Sequence, residues 1–176
     1  MATRIISIVG RKDSGKTTLL VALAAEFKRR RRRVMSIKHA THPAEFDRPG
    51  TDSYRHFHEG GAERVVLASP EARFIEERSP DTLDPVALTR RYLDGADIVL
   101  VEGFKAAPLP KIEVFRRAAA DTPLYDAALP ESDHWVAIVT DDRQFEASCR
   151  VLRFNDTMWM QTLASLAWDS AKVIGG

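Results

Sequence analysis

The spacing of apolar positions along the chain alternates between the short period of strands and the longer period of helices. Residues 3–9 are rich in β-branched side chains and stop at Gly10, which predicts a buried strand. Further along, Leu19, Leu23 and Phe27 recur on one face of a helix. In chain order the pattern predicts strands at 3–9, 34–38, 62–67, 73–76, 97–101, 111–115, 135–139 and 151–154.

Four helices are expected between or after these strands, with boundaries set by capping residues, proline and glycine. A helical turn is the expectation for residues 145–149, and residues 118–133 look irregular. The expected helices run from Lys16 to about Arg32, from Thr51 or Asp52 to Gly60-Gly61, from Asp84-Pro85 through Leu93, and onward from a cap at Asn155 or Asp156.

Alternation of this kind predicts an α/β fold, in which a mainly parallel sheet is flanked by helices. We find no internal repeat and no linker, so a single domain over residues 1–176 is expected. In such sheets ligands bind outside the carboxyl ends of the strands. Candidate site residues are therefore sought where the predicted strands end.

The strongest motif lies at residues 10–17, Gly-Arg-Lys-Asp-Ser-Gly-Lys-Thr, which match the P-loop pattern G-x-x-x-x-G-K-[ST] in full. Its glycines let backbone N–H groups face phosphates, and the following helix adds its positive end. The lysine reaches the β- and γ-phosphates, and the threonine hydroxyl can bind Mg²⁺. A chance glycine turn is the alternative, but the motif lies between a predicted strand and helix, so a P-loop NTPase fold is expected. The predicted nucleotide-binding residues here are Gly10, Asp13, Ser14, Gly15, Lys16, Thr17 and Thr18, with Lys16 also catalytic and Thr17 also a metal ligand.

A second acid on the metal side is expected at the end of another strand. Asp97 and Glu102 flank the apolar residues 98–101. Five residues at ~3.3 Å each place the two acids about 16 Å apart, so only one can reach the site. Glu102 lies at the carboxyl end and is predicted to be the metal-side carboxylate. A structural pairing of Glu102 with Lys105 is the alternative.

Two further loops at the same edge carry acids. Asp47, Asp52 and Ser53 follow the second strand, in a loop of the kind that orders around a γ-phosphate and its metal. Asp47 is predicted to be catalytic, whereas capping of the next helix is the alternative for Asp52. Asp141 follows another strand, and its carboxylate can accept the two donors of a guanine edge. No N-K-x-D guanine motif is present, and a turn that caps the segment from Phe145 competes with this assignment.

Overall composition narrows the function classes. Apolar residues make up 44% and charged residues 29% of the chain, as in ordinary globular domains, and a net charge of +1 argues against nucleic acid as a partner. No apolar run approaches the ~18 residues of a membrane span, and the first strand begins too early for a signal peptide. The single cysteine, Cys149, fits a reducing compartment, so a cytoplasmic location is expected.

Basic residues and histidines add two open questions. The run at residues 28–33 fits a solvated helix end, and attraction of a phosphate-bearing pterin or an acidic partner is the alternative. His39 and His42 have no cysteine or acid that completes a zinc ligand set, so ordering of a loop or a hydrogen bond to a ligand is favoured.

Several blocks of the sequence resemble the bacterial molybdopterin guanine dinucleotide biosynthesis protein B family (MobB). Together with the P-loop, their order and spacing agree across about residues 3–140. The blocks are Ser-Ile-Lys-His-Ala-Thr-His at 36–42, Asp-Arg-Pro-Gly-Thr-Asp-Ser-Tyr at 47–54, Glu-Gly-Gly-Ala at 59–62, Val-Leu-Ala-Ser at 66–69, Leu-Val-Glu-Gly-Phe-Lys at 100–105 and Lys-Ile-Glu-Val-Phe-Arg at 111–116.

The resemblance implies a homodimer that binds GTP with Mg²⁺, hydrolyses it weakly and assists a partner enzyme. That partner, a molybdopterin guanylyltransferase, attaches GMP to molybdopterin or its molybdenum form. The resemblance also implies that the sheet extends between subunits. Residues 29–33 and 117–134 depart from the family pattern, which leaves the contacts with the partner open.

Two other functions stay open. A small-molecule or nucleoside kinase would need a lid with arginines over the transferred phosphate, but Arg116-Arg117 lies in a strand-to-loop segment and no compact lid helix is evident. A nucleotide-dependent scaffold without catalysis is the third possibility. Arg48, beside Asp47, is the nearest candidate for an arginine against the γ-phosphate, and slow hydrolysis is expected without one.

Overall fold

Aliphatic strand residues build a seven-stranded sheet around the first strand of the chain. The computed structural model describes residues 2–40, 47–78 and 84–175. The strands are β1 (Thr3–Val9), β2 (Val34–Lys38), β3 (Arg64–Ala68), β4 (Arg73–Glu77), β5 (Ile98–Glu102), β6 (Lys111–Phe115), β7 (Trp135–Thr140), β8 (Arg150–Arg153) and β9 (Lys172–Ile174). The helices are α1 (Lys16–Arg29), α2 (Asp52–Tyr54), α3 (Pro85–Tyr92) and α4 (Trp159–Ser170), with a π-helical turn at Arg55–Glu59 and a 3₁₀ helix at Pro130–His134.

The order of the main sheet is β2-β5-β1-β6-β7-β8, with β9 added antiparallel to the start of β1. Every other neighbouring pair in this sheet is parallel. The prediction of a mainly parallel sheet is therefore confirmed. Because the strands are parallel, the carboxyl ends of β5, β1, β6 and β7 meet at one edge.

Helices cover both faces of the sheet, which explains why β1 and β5 are apolar along nearly their whole length. On one face, α1 and α4 bury Leu23 and Leu163 against alternate residues of β1 such as Ile6. On the other face, α3 packs Leu88 against a cluster that includes Val99 of β5. None of the helices in the described ranges is long and apolar enough to cross a membrane.

The chain divides into two compact units, Met1–His39 with Leu83–Gly176 and Ala40–Thr82. The larger unit holds the parallel sheet and the P-loop. In the smaller unit, Thr51 caps α2 by accepting a hydrogen bond from the Tyr54 N–H, and β3 pairs antiparallel with β4. A helix start at Thr51 or Asp52 and strands at 62–67 and 73–76 were predicted, while a single nucleotide-binding domain over 1–176 stays a prediction.

Helix α1 ends at Arg29, three residues before the expected boundary. Arg31 adopts a left-handed φ of 58°, and its N–H donates to the Lys28 carbonyl. The Arg32 N–H donates to the Phe27 carbonyl. This is the Schellman pattern, in which glycine normally takes the left-handed position. An arginine there gives no stop signal in the sequence, so the predicted helix was too long.

The expected helical turn at residues 145–149 is wrong. Only a turn at residues 143–144 precedes this segment, which is irregular. Phe145 packs on Phe115, with ring centroids 5.4 Å apart, and Cys149 joins the same cluster. The apolar spacing therefore reflects contact with the sheet and not a helix.

The predicted cap of the last helix is also wrong, because neither Asn155 nor Asp156 caps α4. Asp156 instead closes a turn, in which its Oδ2 accepts a hydrogen bond from the Arg153 N–H at 2.8 Å. Helix α4 starts only at Trp159, after a left-handed Met158. Strand β9 was not predicted, since three residues are too few to show a period.

Candidate nucleotide-binding site

The loop between β1 and α1 passes too close to β6 for a side chain at its first position. Gly10 has a φ of 149°, and a Cβ built on it would lie 2.5 Å from the Val114 carbonyl oxygen and 2.6 Å from Ser14 Oγ. Gly15 precedes α1 with a φ of 97°. Both glycines of the motif are thus required by backbone conformation, and Gly10 also by the close approach of β6.

The start of α1 offers hydrogen-bond donors without a side chain to satisfy them. Gly15 supplies no cap, and the first turn contains no acidic residue. Ser14 is 1% exposed, yet its Oγ has no hydrogen-bond partner in the described part of the chain. Asp13 holds a left-handed φ of 60°, and Thr18 is exposed in the first turn. Free donors at a helix start favour an anion at this position.

The P-loop lysine lies across its own loop. Lys16 Nζ donates to the Arg11 carbonyl oxygen at 2.7 Å. This contact uses one of the three donors of an ammonium group. The lysine is therefore held at the loop and keeps donors available for a phosphate.

The two residues predicted for the metal side contact one another. Thr17 Oγ1 donates to the Glu102 carboxylate, with its two oxygens at 2.9 Å and 3.0 Å. Glu102 is buried at the end of β5 and pairs with Lys38 Nζ at 3.2 Å. The pairing with Lys105, considered as the alternative, does not form. Asp97 lies at the other end of β5, where it accepts from the Arg33 N–H at 2.8 Å.

His39 contacts the end of β5 and the residue pair that follows it. Its N–H donates to the Glu102 carbonyl at 2.9 Å, and its ring stacks on Phe104 at 4.4 Å between centroids. A Cβ on Gly103 would lie 3.0 Å from the His39 Cβ, so glycine permits this approach. Within the described ranges, no three His, Cys, Asp or Glu side chains form a cluster that could hold a metal. His42 lies outside the described residues.

Asp47 lies in the smaller unit and organises its own loop. Its Oδ1 accepts from the Arg48 N–H at 2.8 Å and from Thr51 Oγ1 at 3.0 Å. The nearby Ser53 hydroxyl lowers the pKa of Asp47 most, followed by the Thr51 and Arg48 hydrogen bonds, against an opposing effect of burial. The other oxygen, Oδ2, is buried, and no atom in the described ranges makes a hydrogen bond of good geometry to it. The catalytic role of Asp47 stays a prediction.

The two acids after β7 differ in how fully they are bound. Asp142 pairs through Oδ2 with Arg117 Nε at 2.8 Å and accepts through Oδ1 from the Gln144 N–H, which together lower the pKa of Asp142. Asp141 is exposed, and its Oδ1 accepts a hydrogen bond from the Arg117 N–H at 3.2 Å. Asp142 thus makes the turn that was the competing interpretation, while no described residue donates to Oδ2 of Asp141.

The roles of the basic run at 28–33 and of Arg116 were only partly predicted from the sequence. Most of the run at 28–33 is used structurally: for example, Glu26 pairs with Arg29 and Arg30, and Arg32 stacks on Trp168. Arg116 was left outside the site, yet its guanidinium lies beside Gly15. Its position directly after β6 was the signal that could have placed it at the carboxyl edge.

Comparison with known proteins agrees with this geometry. Residues 5–141 match the family described as Molybdopterin guanine dinucleotide synthesis protein B. The chain belongs to this MobB family. The molybdopterin-guanine dinucleotide biosynthesis adapter protein of Haemophilus influenzae is a MobB relative 36% identical over 152 residues, which are 86% of this chain and 82% of the relative. The protein of the same name from Escherichia coli is 33% identical over 140 residues, 78% of each chain.

Solved MobB structures share the fold. A molybdopterin-guanine biosynthesis protein B aligns with a TM-score of 0.68 and 25% identity, over 94% of this chain and 98% of that one. MobB of Bacillus subtilis aligns with a TM-score of 0.66 and 19% identity, over 93% of this chain and 97% of that one. These similarities confirm the predicted P-loop fold with its parallel sheet and flanking helices.

Proposed function

We propose that this MobB chain is an adapter in molybdopterin guanine dinucleotide biosynthesis and that it binds GTP with Mg²⁺. The observation that carries the proposal is the complete P-loop at an uncapped helix start, beside a paired hydroxyl and carboxylate. The adapter role comes from the MobB relatives that bear this name. The nucleotide and the metal come from the chemistry of the loop.

Phosphate binding falls to the P-loop. Gly10 and Gly15 give the loop its shape, and backbone N–H groups from Asp13 onward, including Thr18, surround the phosphates. Lys16 neutralises the β- and γ-phosphates, and the buried Ser14 hydroxyl, which has no hydrogen-bond partner among the described residues, can donate to the same anion.

Mg²⁺ would be held by Thr17 and by Glu102, directly or through water, since Mg²⁺ takes few protein oxygens and keeps several waters. When bound, the ion would supply positive charge beside the phosphates. The Thr17 hydroxyl donates to Glu102, so metal binding would require that a lone pair of this hydroxyl face the ion.

Preference for guanine is assigned to Asp141. Its two carboxylate oxygens can accept the ring N–H and the exocyclic amine of guanine, since among the described residues only the Arg117 N–H donates to them. Adenine has no such pair of adjacent donors. We therefore propose GTP, and not ATP, as the nucleotide.

Hydrolysis is expected to be slow. Lys16 is proposed to stabilise charge on the γ-phosphate, and Asp47 is proposed to take part in hydrolysis. A site that binds substrate and transition state about equally gains affinity without gaining rate. Slow turnover suits an adapter, which holds the nucleotide for another protein.

The partner is proposed to be a molybdopterin guanylyltransferase, together with molybdopterin or its molybdenum form, in the cytoplasm. A homodimer is proposed because edge strands need cover, and Val66, Leu67 and Ile75 of the β3–β4 hairpin are 54%, 50% and 49% exposed. Light scattering at micromolar concentration is expected to give twice the chain mass of 19.7 kDa. A monomer would count against the dimer.

The function is tested by two measurements on one preparation. GTP turnover by the chain alone is expected to be slow, and addition of the chain to the guanylyltransferase with molybdopterin and GTP is expected to increase dinucleotide formation. Lys16→Ala is the control, since it should remove the stimulation. Rapid transfer of the γ-phosphoryl group to a small acceptor without a partner would replace the adapter with a kinase.

A further inference from the structure

Arg116 is placed at the P-loop by the order of the strands. It follows β6 directly, and β6 is the parallel neighbour of β1, whose carboxyl end leads into the loop. A Cβ built on Gly15 would lie 3.7 Å from Arg116 Nε, 3.8 Å from Cζ and 3.9 Å from Nη2. The guanidinium therefore lies at van der Waals distance from the glycine that precedes α1.

The charge of Arg116 has no counter-charge in the described ranges. Its Nε is buried without a hydrogen-bond partner there, and its guanidinium rests on the Phe154 ring at 4.5 Å from the centroid. The next residue is used differently, since Arg117 pairs with Asp142 and donates to the Asp121 carbonyl. A buried N–H that donates to nothing is costly in a folded protein, so a ligand is the expected acceptor.

We propose that Arg116 binds the phosphate chain of the nucleotide, from the side of the loop opposite the metal; this rests on the nucleotide binding proposed above. Strands β5 and β6 flank β1, so Glu102 approaches the loop from one side and Arg116 from the other. The planar fork of a guanidinium matches two phosphate oxygens. Phe154 holds one face of this plane, which fixes the direction of the donors.

Gly15 itself is required by its left-handed φ of 97°, and a Cβ there would make only ordinary van der Waals contact with the guanidinium. Arg116 is proposed to bind the phosphates in the nucleotide complex before reaction, on the side of the loop opposite Thr17. Such binding adds affinity without speeding the reaction, so it agrees with slow hydrolysis.

The test compares Arg116→Ala, Arg116→Lys and Arg150→Ala by titration with GTP and GDP at fixed Mg²⁺. Arg150 is exposed at the amino end of β8, so its removal changes net charge equally without touching the loop. Arg116→Ala is expected to weaken both nucleotides by about 10- to 100-fold, the range of a lost charged hydrogen bond. Arg116→Lys should recover part of the affinity, and Arg150→Ala should match the wild type.

Two further readouts separate the outcomes. Without nucleotide, the Tm of Arg116→Ala should change only by what the contact of the guanidinium with Phe154 contributes, while the Tm gain on adding GTP should shrink. Inorganic tripolyphosphate, as a competitor of labelled GTP, should lose affinity by the same factor as GTP. If Arg116→Ala weakens GTP but not tripolyphosphate, Arg116 acts on the base or ribose and the proposal is overturned. Equal GTP binding by wild type and Arg116→Ala also overturns it, whereas no binding by the wild type refutes the proposed function itself.

Discussion

The change from Glu102 to Gln isolates the charge of the carboxylate that we propose for the metal side. In the wild type, Thr17 Oγ1 lies 2.9 Å from Oε1 and 3.0 Å from Oε2 of Glu102. The glutamine amide keeps the size of the side chain, and its oxygen can still accept the Thr17 hydrogen bond. What is lost is the ion pair with Lys38 Nζ at 3.2 Å. Because the Lys38 side chain is 65% exposed, that pair contributes only about 0–1 kcal/mol to stability.

The expected effect on the metal is larger than the effect on the fold. A carboxylate that contacts Mg²⁺ directly or through water is worth about 10- to 100-fold in metal affinity. Glu102→Gln should therefore change the free energy of unfolding by less than about 1 kcal/mol and raise the Mg²⁺ concentration needed for GTP binding by that factor.

The assay is calorimetric titration of GTP at a series of Mg²⁺ concentrations, with thermal unfolding run in parallel. Lys38→Met is the matched control, since it removes the same ion pair and leaves the carboxylate. It should keep the Mg²⁺ dependence of the wild type or strengthen it. If Glu102→Gln keeps the wild-type Mg²⁺ dependence and hydrolysis, Glu102 has only a structural role and the metal assignment is wrong.

Further predictions concern the loop and the end of α1. Gly10→Ala should abolish GTP binding, measured by titration, and destabilise the fold by about 2–6 kcal/mol, measured by thermal unfolding. The reason is a strained φ together with a Cβ 2.5 Å from the Val114 carbonyl oxygen. Gly61→Ala, with a φ of 70° and nothing within 4 Å, should cost only about 1 kcal/mol by the same unfolding assay. Hydrogen bonds from Arg30 and then Arg29 lower the pKa of Glu26 in the folded chain. The Glu26 carboxylate therefore contributes its full stabilisation above the unfolded pKa of about 4.3, and this stabilisation is lost as pH falls through the lower folded pKa. Glu26→Gln should lower Tm at neutral pH and flatten the decline of Tm between about pH 5 and 3, and an unchanged pH profile would contradict this.

The contact between Thr17 and Glu102 was predictable because both residues follow rules that are local in sequence. The P-loop motif fixes Thr17, and the apolar run 98–101 shows which acid lies at the carboxyl end of its strand. The partner of Glu102 was not predictable in the same way. Lys38 pairs with it because β2 lies beside β5, with Lys38 in register with Glu102, and the sequence does not state which strands are neighbours.

Arg116 was overlooked for the same physical reason. Its closeness to Gly15 depends on β6 lying beside β1, a long-range pairing that no local period encodes. The end of α1 was misplaced because Arg31 takes the left-handed conformation that usually belongs to glycine at a helix end. Without a glycine, the sequence does not show where the helix stops. Local propensity thus predicted most elements, whereas tertiary contacts decided two of the side chains around the nucleotide site.

The most direct test of the account is the affinity of the wild type and of Lys16→Ala for GTP in the presence of Mg²⁺. Among the described residues, Lys16 Nζ makes a hydrogen bond only to the Arg11 carbonyl at the loop surface, so its removal should leave the Tm of the nucleotide-free chain unchanged. We expect Mg²⁺-dependent binding by the wild type and a loss of about 100-fold or more in Lys16→Ala, since the lysine is proposed to bind two phosphates through its charge. Equal affinity of the two proteins for GTP would contradict the assignment of residues 10–17 as a nucleotide-binding loop.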